Sequence, residues 1–288
     1  MSLPSESAFG RRSPPARWRR LIRMAQRCPE NWFGQQMAQL VRLLVLKTIA
    51  LPVDLEIGAI RMRCHMLDNC SEKKFAFMPW RFDGRERDLL VRSLPHDGVF
   101  VDIGANVGIY TLTAAVHLGA KGRIVAFEPN PRTYERLCFN VNATRRGTSR
   151  WPRINVLPVG VADEERRVDL HLDAGNLGAA SILCARVRSA GTVHIRCRPL
   201  MAVIAELSIS RVDALKIDIE GAEDLALMPF LASARAEQLP VLLIVENSER
   251  HWRLDLPGAL VDSGYTEVVR TRMNTVYRRD AVVARVRR

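Results

Sequence analysis

The chain has 288 residues, 48% of them apolar and 26% charged, with a formal net charge of +12. This composition excludes a fibrous or fully disordered chain and gives ample material for a core. The excess charge sits at the ends. Residues 1–30 hold seven Arg against two Glu and residues 270–288 hold seven Arg against Asp280, which leaves 29 basic and 28 acidic residues between them. A nucleic-acid enzyme carries its positive charge across the binding face, so a neutral body excludes DNA as a partner and disfavours RNA.

In chain order, residues 1–30 are Arg- and Pro-rich and read as a basic, poorly ordered tail. Residues 31–95 read as an N-terminal helix and a small β/α extension. The helix covers about Asn31 to Ala50. Its apolar stretch is broken by Arg42 and Lys47, too short and too charged to span a bilayer. An amphipathic helix, docked on the body or in peripheral contact with a membrane, fits it. Alternating runs from Val53 to about Met78, including "KKFAFM", predict strands, and "GRERDLLVRSL" has helical spacing up to Pro95. The N-terminus lacks the apolar segment of a signal peptide, and Cys28, Cys64, Cys70, Cys138, Cys184 and Cys197 lack zinc or C-x-x-C spacing. Reduced thiols in a cytoplasmic protein are the expectation.

Residues 96–288 alternate strand and helix. Short apolar runs, "VFVDIG", "RIVAFEP", "INVLPVGVAD", "DALKIDIEG" and "VLLIVEN", are separated by helical segments. Runs apolar on both faces predict buried parallel strands, hence an α/β, Rossmann-like doubly wound and mostly parallel sheet. Two further runs, "RRVDLHLD" and "TVHIRCRPL", predict a hairpin insertion. "YTEVVRT" and "NTVYRRDAVVARV" predict a closing C-terminal antiparallel hairpin.

Ligands of such sheets sit at the carboxyl ends of the strands, and acids cluster there: Asp102, Glu128, Asp218 and Glu246, with Asp163 after the remaining strand. The first turn, Asp102-Ile103-Gly104-Ala105-Asn106-Val107-Gly108, is G-x-N-x-G rather than the G-x-G-x-x-G of dinucleotide folds. A pyrophosphate on the following helix N-terminus would be repelled by Asp102, which ranks a nicotinamide-dependent enzyme last. S-adenosyl-L-methionine (SAM) carries an ammonium and a sulfonium instead, and an acid beside this turn suits it. Gly104, Ala105 and Gly108 permit close backbone approach, and Asn106 tolerates a left-handed conformation. Glu128 can accept from both ribose hydroxyls, with Pro129 and Asn130 forming the turn beyond it. Val161 and Ala162 are placed to meet an adenine edge, where Asp163 can accept from the exocyclic amine; Asp163 also reads as a turn former. In "LKIDIEGAE", Asp218 ends a strand, Glu220 follows, and Glu223 reads equally as a helix cap.

Together "FVDIGANVGIYTL", "AFEPNP" and "LKIDIEGAE" resemble the FkbM family of SAM-dependent methyltransferases, in matching order from about Phe82 to Glu246. The resemblance implies a class I methyltransferase that methylates a hydroxyl of a sugar, polyketide or related natural product. Such a transfer needs in-line alignment and a base for the hydroxyl proton. Asp218 is the first candidate base, then Glu220 and Glu246, with His251 as a loop alternative. Carboxylates so placed can also hold Mg²⁺, but the expectation is that no metal is used. Two alternatives stand beside this reading. An RNA methyltransferase is suggested by the basic ends and by Trp18, Trp151 and Trp252. The other is a non-catalytic SAM-fold module whose N-terminal amphipathic helix binds a membrane or a partner.

Overall fold

The computed structural model describes residues 7–173, 175–176 and 189–279. Residues 1–6 of the basic tail and the chain beyond Arg279, including the end of the last predicted strand, lie outside them.

A seven-stranded sheet positions the site. Its order is β11(Tyr265–Arg270), β12(Asn274–Arg279), β10(Leu242–Glu246), β9(Ala214–Ile217), β3(Val99–Ile103), β4(Arg123–Phe127), β5(Arg153–Leu157). The five strands from β10 to β5 pair in parallel, and β12 alone runs against its neighbours. The C-terminal hairpin therefore inserts its second strand against β10 and leaves β11 at the edge. Side chains alternate cleanly along the buried strands. Phe100, Ile124, Ala214 and Ile244 enter one apolar layer, while Val101, Val125, Leu215 and Val245 enter the other. The first layer is covered by α4(Gly84–Ser93) and α5(Ile109–His117), with α6(Pro131–Arg145) beyond. The second is covered by α7(Leu200–Glu206), α8(Glu223–Ser233) and α9(Leu256–Asp262).

The run "INVLPVGVAD" does not form one strand. Only β5 joins the main sheet, and past Pro158 the chain departs to pair β6(Gly160–Val161) with β8(Ser189–Arg198). β8 also pairs antiparallel with β7(Arg166–Asp173), which is the expected hairpin insertion.

The N-terminal segment corrects two expectations. Residues 7–30 are not without structure: Ala16–Gln26 form α1, whose Ile22 and Ala25 are buried against α2(Trp32–Thr48) and the elements beneath it. The chain before α1 is pinned to the hairpin of β1(Val53–Ile57) and β2(Ile60–Cys64). Asp54 accepts from Gly10 N (2.7 Å) and Arg12 N (3.1 Å), and Arg63 binds Asp54 Oδ1 at 2.7 Å while donating to Ser7 O at 2.8 Å. Both members of this pair are buried, so removing one partner costs about 3–5 kcal/mol. The second correction is "KKFAFM", which is the end of helix α3(Cys70–Phe77) and not a strand. Its alternation is misleading because Phe75, Ala76, Phe77 and Met78 are all enclosed, which erases any period. Asn69 caps α3 by accepting from Glu72 N at 3.0 Å. These N-terminal residues share one core with Leu112, Leu137 and Val141 of α5 and α6.

Candidate active site

A cavity of about 680 Å³ opens at the carboxyl ends of β3, β4, β9 and β10. Its volume suits a small-molecule site. Nine of the expected residues line it: Gly104, Ala105, Asn106, Glu128, Pro129, Val161, Asp218, Glu220 and Glu246.

The turn after β3 is built as its sequence demands. Gly104 has φ +75° and Asn106 φ +51°, both in the left-handed region. A Cβ on Gly104 would stand 1.9 Å from Asp218 O, so only glycine fits between the turn and the end of β9. Asn106 Oδ1 accepts from Asn69 Nδ2 at 2.8 Å, which ties the turn to the cap of α3. Glu128 is gripped from behind: Oε2 accepts from Asn106 N (2.7 Å), and Oε1 accepts from Asn130 N and Thr133 Oγ1 (both 2.9 Å). A carboxylate offers about four lone-pair directions, so three bonds leave one for a ligand hydroxyl. Burial raises its pKa, partly offset by those donors.

Five expected residues do not reach the cavity. Asp102 is the principal correction. Strand alternation sends it with Phe100 to the α5 side, where it is fully buried and accepts from Thr111 Oγ1 at 2.6 Å. Its Oδ1 has no hydrogen-bond partner, and burial raises its pKa. Asp102 therefore presents no surface to this cavity. Gly108 caps α5 with φ +98° and packs on Leu137. Asn130 caps α6, accepting from Arg132 N at 3.1 Å. Ala162 is buried and donates its N–H to Arg198 O, and Asp163 turns out to pair with Arg166 at 3.0 Å.

Across the cavity, Asp218, Glu220 and Glu246 each offer an oxygen within 4.8 Å of the others. That donor set suits a hard divalent cation. Their mutual repulsion is already relieved in two ways. Glu246 is pushed up to about 11 by burial and then by the charges of Asp218, Glu220 and Glu223, so it holds its proton at neutral pH and shares a hydrogen bond with Asp218. Lys216, buried on β9, binds Asp218 Oδ2 at 3.1 Å and donates to Gly104 O at 3.1 Å. Glu220 is raised to about 7, chiefly by burial and then by Asp218. Its backbone sits at φ +57°, and its N–H donates to Glu246 Oε2 at 3.1 Å.

Sequence reasoning missed Lys216, Tyr110 and Asp83. Lys216 lies 5.3 Å from the Tyr110 ring, and Tyr110 donates to Asp83 Oδ2 at 3.1 Å. Asp83 lines the cavity and is raised to about 6 by burial, then by Glu86. The signal for Lys216 was a lone cation inside an otherwise apolar strand, two residues before Asp218. Glu223 proves structural: fully buried, it accepts from Ile219 N (2.9 Å), Gly221 N (3.2 Å) and Trp252 Nε1 (2.8 Å), and from the Ser248 hydroxyl. His251 packs on Gly221 outside the cavity lining. Trp18, Trp151 and Trp252 pack against the cores, so they offer no stacking platform at this site.

The sheet order, the glycine turn after β3 and acids at successive strand ends define a class I methyltransferase. The chain belongs to the FkbM methyltransferase family, whose domain profile (Methyltransferase FkbM domain) matches residues 102–263. It is 26% identical to the hexuronic acid methyltransferase AglP of Haloferax volcanii over 135 residues, 47% of this chain and 51% of that protein. It is 29% identical to the AMB antimetabolite synthetase AmbE of Pseudomonas aeruginosa over 189 residues, 54% of this chain and 9% of that one. The chain thus spans about half or less of these curated relatives. The solved FkbM methyltransferase of Methylobacillus flagellatus KT aligns with 74% of this chain and 56% of its own, at 17% identity and a TM-score of 0.40.

Proposed function

We propose that this methyltransferase uses SAM to methylate a hydroxyl of a saccharide or related natural product. One observation carries the reading: a single cavity joins the Gly104–Asn106 turn and Glu128 to the carboxylates of Asp218, Glu220 and Glu246. The residues fit SAM chemically. Glu128 keeps an acceptor direction for a ribose hydroxyl, Phe127 and Val161 supply apolar wall for an adenine, and the acids favour a cation over a phosphate. When bound, SAM supplies an electrophilic methyl group.

The chain's own residues then divide the remaining work. Glu220, near 7, is matched to accept a hydroxyl proton at neutral pH. Asp218, fixed by Lys216, orients the hydroxyl, and protonated Glu246 holds Glu220 and Asp218 together. Lys216 provides the positive charge that a metal otherwise brings, so turnover is expected to survive EDTA. Loss on chelation with recovery in Mg²⁺ would reassign the three carboxylates as ligands. Arg42, Lys74, Arg81 and Arg272 also line the cavity and are in no ion pair among the described residues. An acceptor bearing a carboxylate, such as a uronic acid, complements them, in keeping with the hexuronic acid named for AglP. The test is methyl transfer from labelled SAM to a panel of uronic acid and neutral glycosides. Transfer to the acidic members supports the reading. SAM binding without transfer to any hydroxyl, or transfer only to RNA, refutes it.

A further inference from the structure

Helix α2 has three faces. Gly34, Ala38, Val41 and Val45 are buried in the core, and Gln35, Gln39 and Arg42 line the cavity. On the outward face, Phe33, Met37, Leu40 and Leu44 fall within about 60° of one another on the helical wheel. All four are exposed, as are Trp32 and Leu43 beside them, with Trp32 at 74% and Phe33 at 64%. A contiguous apolar stripe turned to water marks an interaction surface rather than ordinary scatter.

What lies beside the stripe identifies its occupant. α1 packs along α2 and exposes Arg17, Arg19, Arg20 and Arg23, with Arg27 exposed just past its end. Residues 7–53 contain nine Arg or Lys and one acid, Glu30. An apolar strip with an aromatic residue at its end and a dense cationic flank is complementary to an anionic lipid surface: side chains enter the acyl boundary while guanidinium groups meet headgroups. Neither helix is long and apolar enough to cross a membrane, so the contact lies in the interface plane. We infer that the α1–α2 pair docks this protein peripherally on an anionic bilayer. On the saccharide reading of the reaction, the acceptor cavity then lies about one helix diameter, about 10 Å, from the bilayer, because Gln35, Gln39 and Arg42 of α2 line its wall. The docking itself is independent of that reading.

Cosedimentation of the full chain with phosphatidylcholine vesicles, with and without phosphatidylglycerol, tests the docking without reference to methyl transfer. Binding is expected only with phosphatidylglycerol, and to vanish at about 1 M salt, where the screening length is about 3 Å. The double variants Phe33→Glu/Leu40→Glu and Arg19→Glu/Arg23→Glu should each weaken it at least about tenfold at unchanged Tm. If either lowers Tm, protection of α2 from hydrogen exchange on vesicle addition to the wild type replaces it. Failure of the wild type to bind overturns the inference. So does binding indifferent to Phe33→Glu/Leu40→Glu, the signature of charge alone as with RNA, or a dimer that buries this face and ignores vesicles.

Discussion

Replacing Lys216 by Met removes one buried ammonium from among five carboxyl groups, those of Asp218, Asp102, Asp83, Glu128 and Glu220. The ion pair to Asp218 and the bond to Gly104 O, both 3.1 Å, are lost. Lys216 also holds down the pKa of Asp102, Asp83, Glu128 and Glu220. Asp102 is its register partner across β3 and β9, is fully buried, and already has one oxygen without a partner. Stripping one member from such a buried arrangement costs about 3–5 kcal/mol. Urea unfolding of Lys216→Met should show that loss. Adding Asp102→Asn should recover about 0.5–3 kcal/mol of it, because a neutral amide no longer needs the cation. The rising limb of the pH–activity profile should also move to higher pH, since Glu220 loses a charge that lowers its pKa. A cost below about 1 kcal/mol, or Asp102→Asn acting equally in both backgrounds, would show that Lys216 does not hold this cluster together.

Glu128→Ala should weaken SAM binding in calorimetry by about tenfold or more, whereas Asp102→Asn, walled off behind β3, should change it by less than about threefold. A large effect of Asp102→Asn on affinity would put that residue back in the cavity. In wild type, turnover should rise with pH through about 7 as Glu220 ionises, and Glu220→Gln should abolish both the limb and most of the rate. Glu246 has its pKa raised far above the usual carboxylate range, so the folded state keeps a proton that the unfolded chain releases above about pH 4.3. Stability is therefore lost as pH rises through this window. Glu246→Gln, neutral at every pH, should unfold at a higher temperature than wild type near pH 8 and match it near pH 4; thermal scans at both values decide this.

The parallel strands were legible because each is a short run apolar on both faces, and the turn because Gly104 and Asn106 are residues that tolerate left-handed backbone. The same double-sided burial hid the direction of Asp102. A strand wet on one face announces its parity, but β3 is apolar toward both layers, so the sequence offers no sign of which layer takes the acid. Lys216 shares that parity across β3 and β9, and Tyr110 and Asp83 are reached only through long-range packing. Residues 7–30 read as disordered from their Arg and Pro content. What pins residues 7–12, Asp54 and Arg63, lies more than forty residues further on, and α1 is held by the burial of Ile22 and Ala25; both are visible only in three dimensions.

The contact between Gly104 and the Asp218 carbonyl has a kinetic consequence. With 1.9 Å where a methyl group would go, the Gly104–Asn106 turn and the strand end bearing the acids touch directly, with no spacer between them. The two halves of the site are thus held at contact distance, while the cavity's outer wall is formed by α2, α3 and the loop at Arg272. Slow steps in the catalytic cycle are accordingly sought in that wall rather than at the sheet.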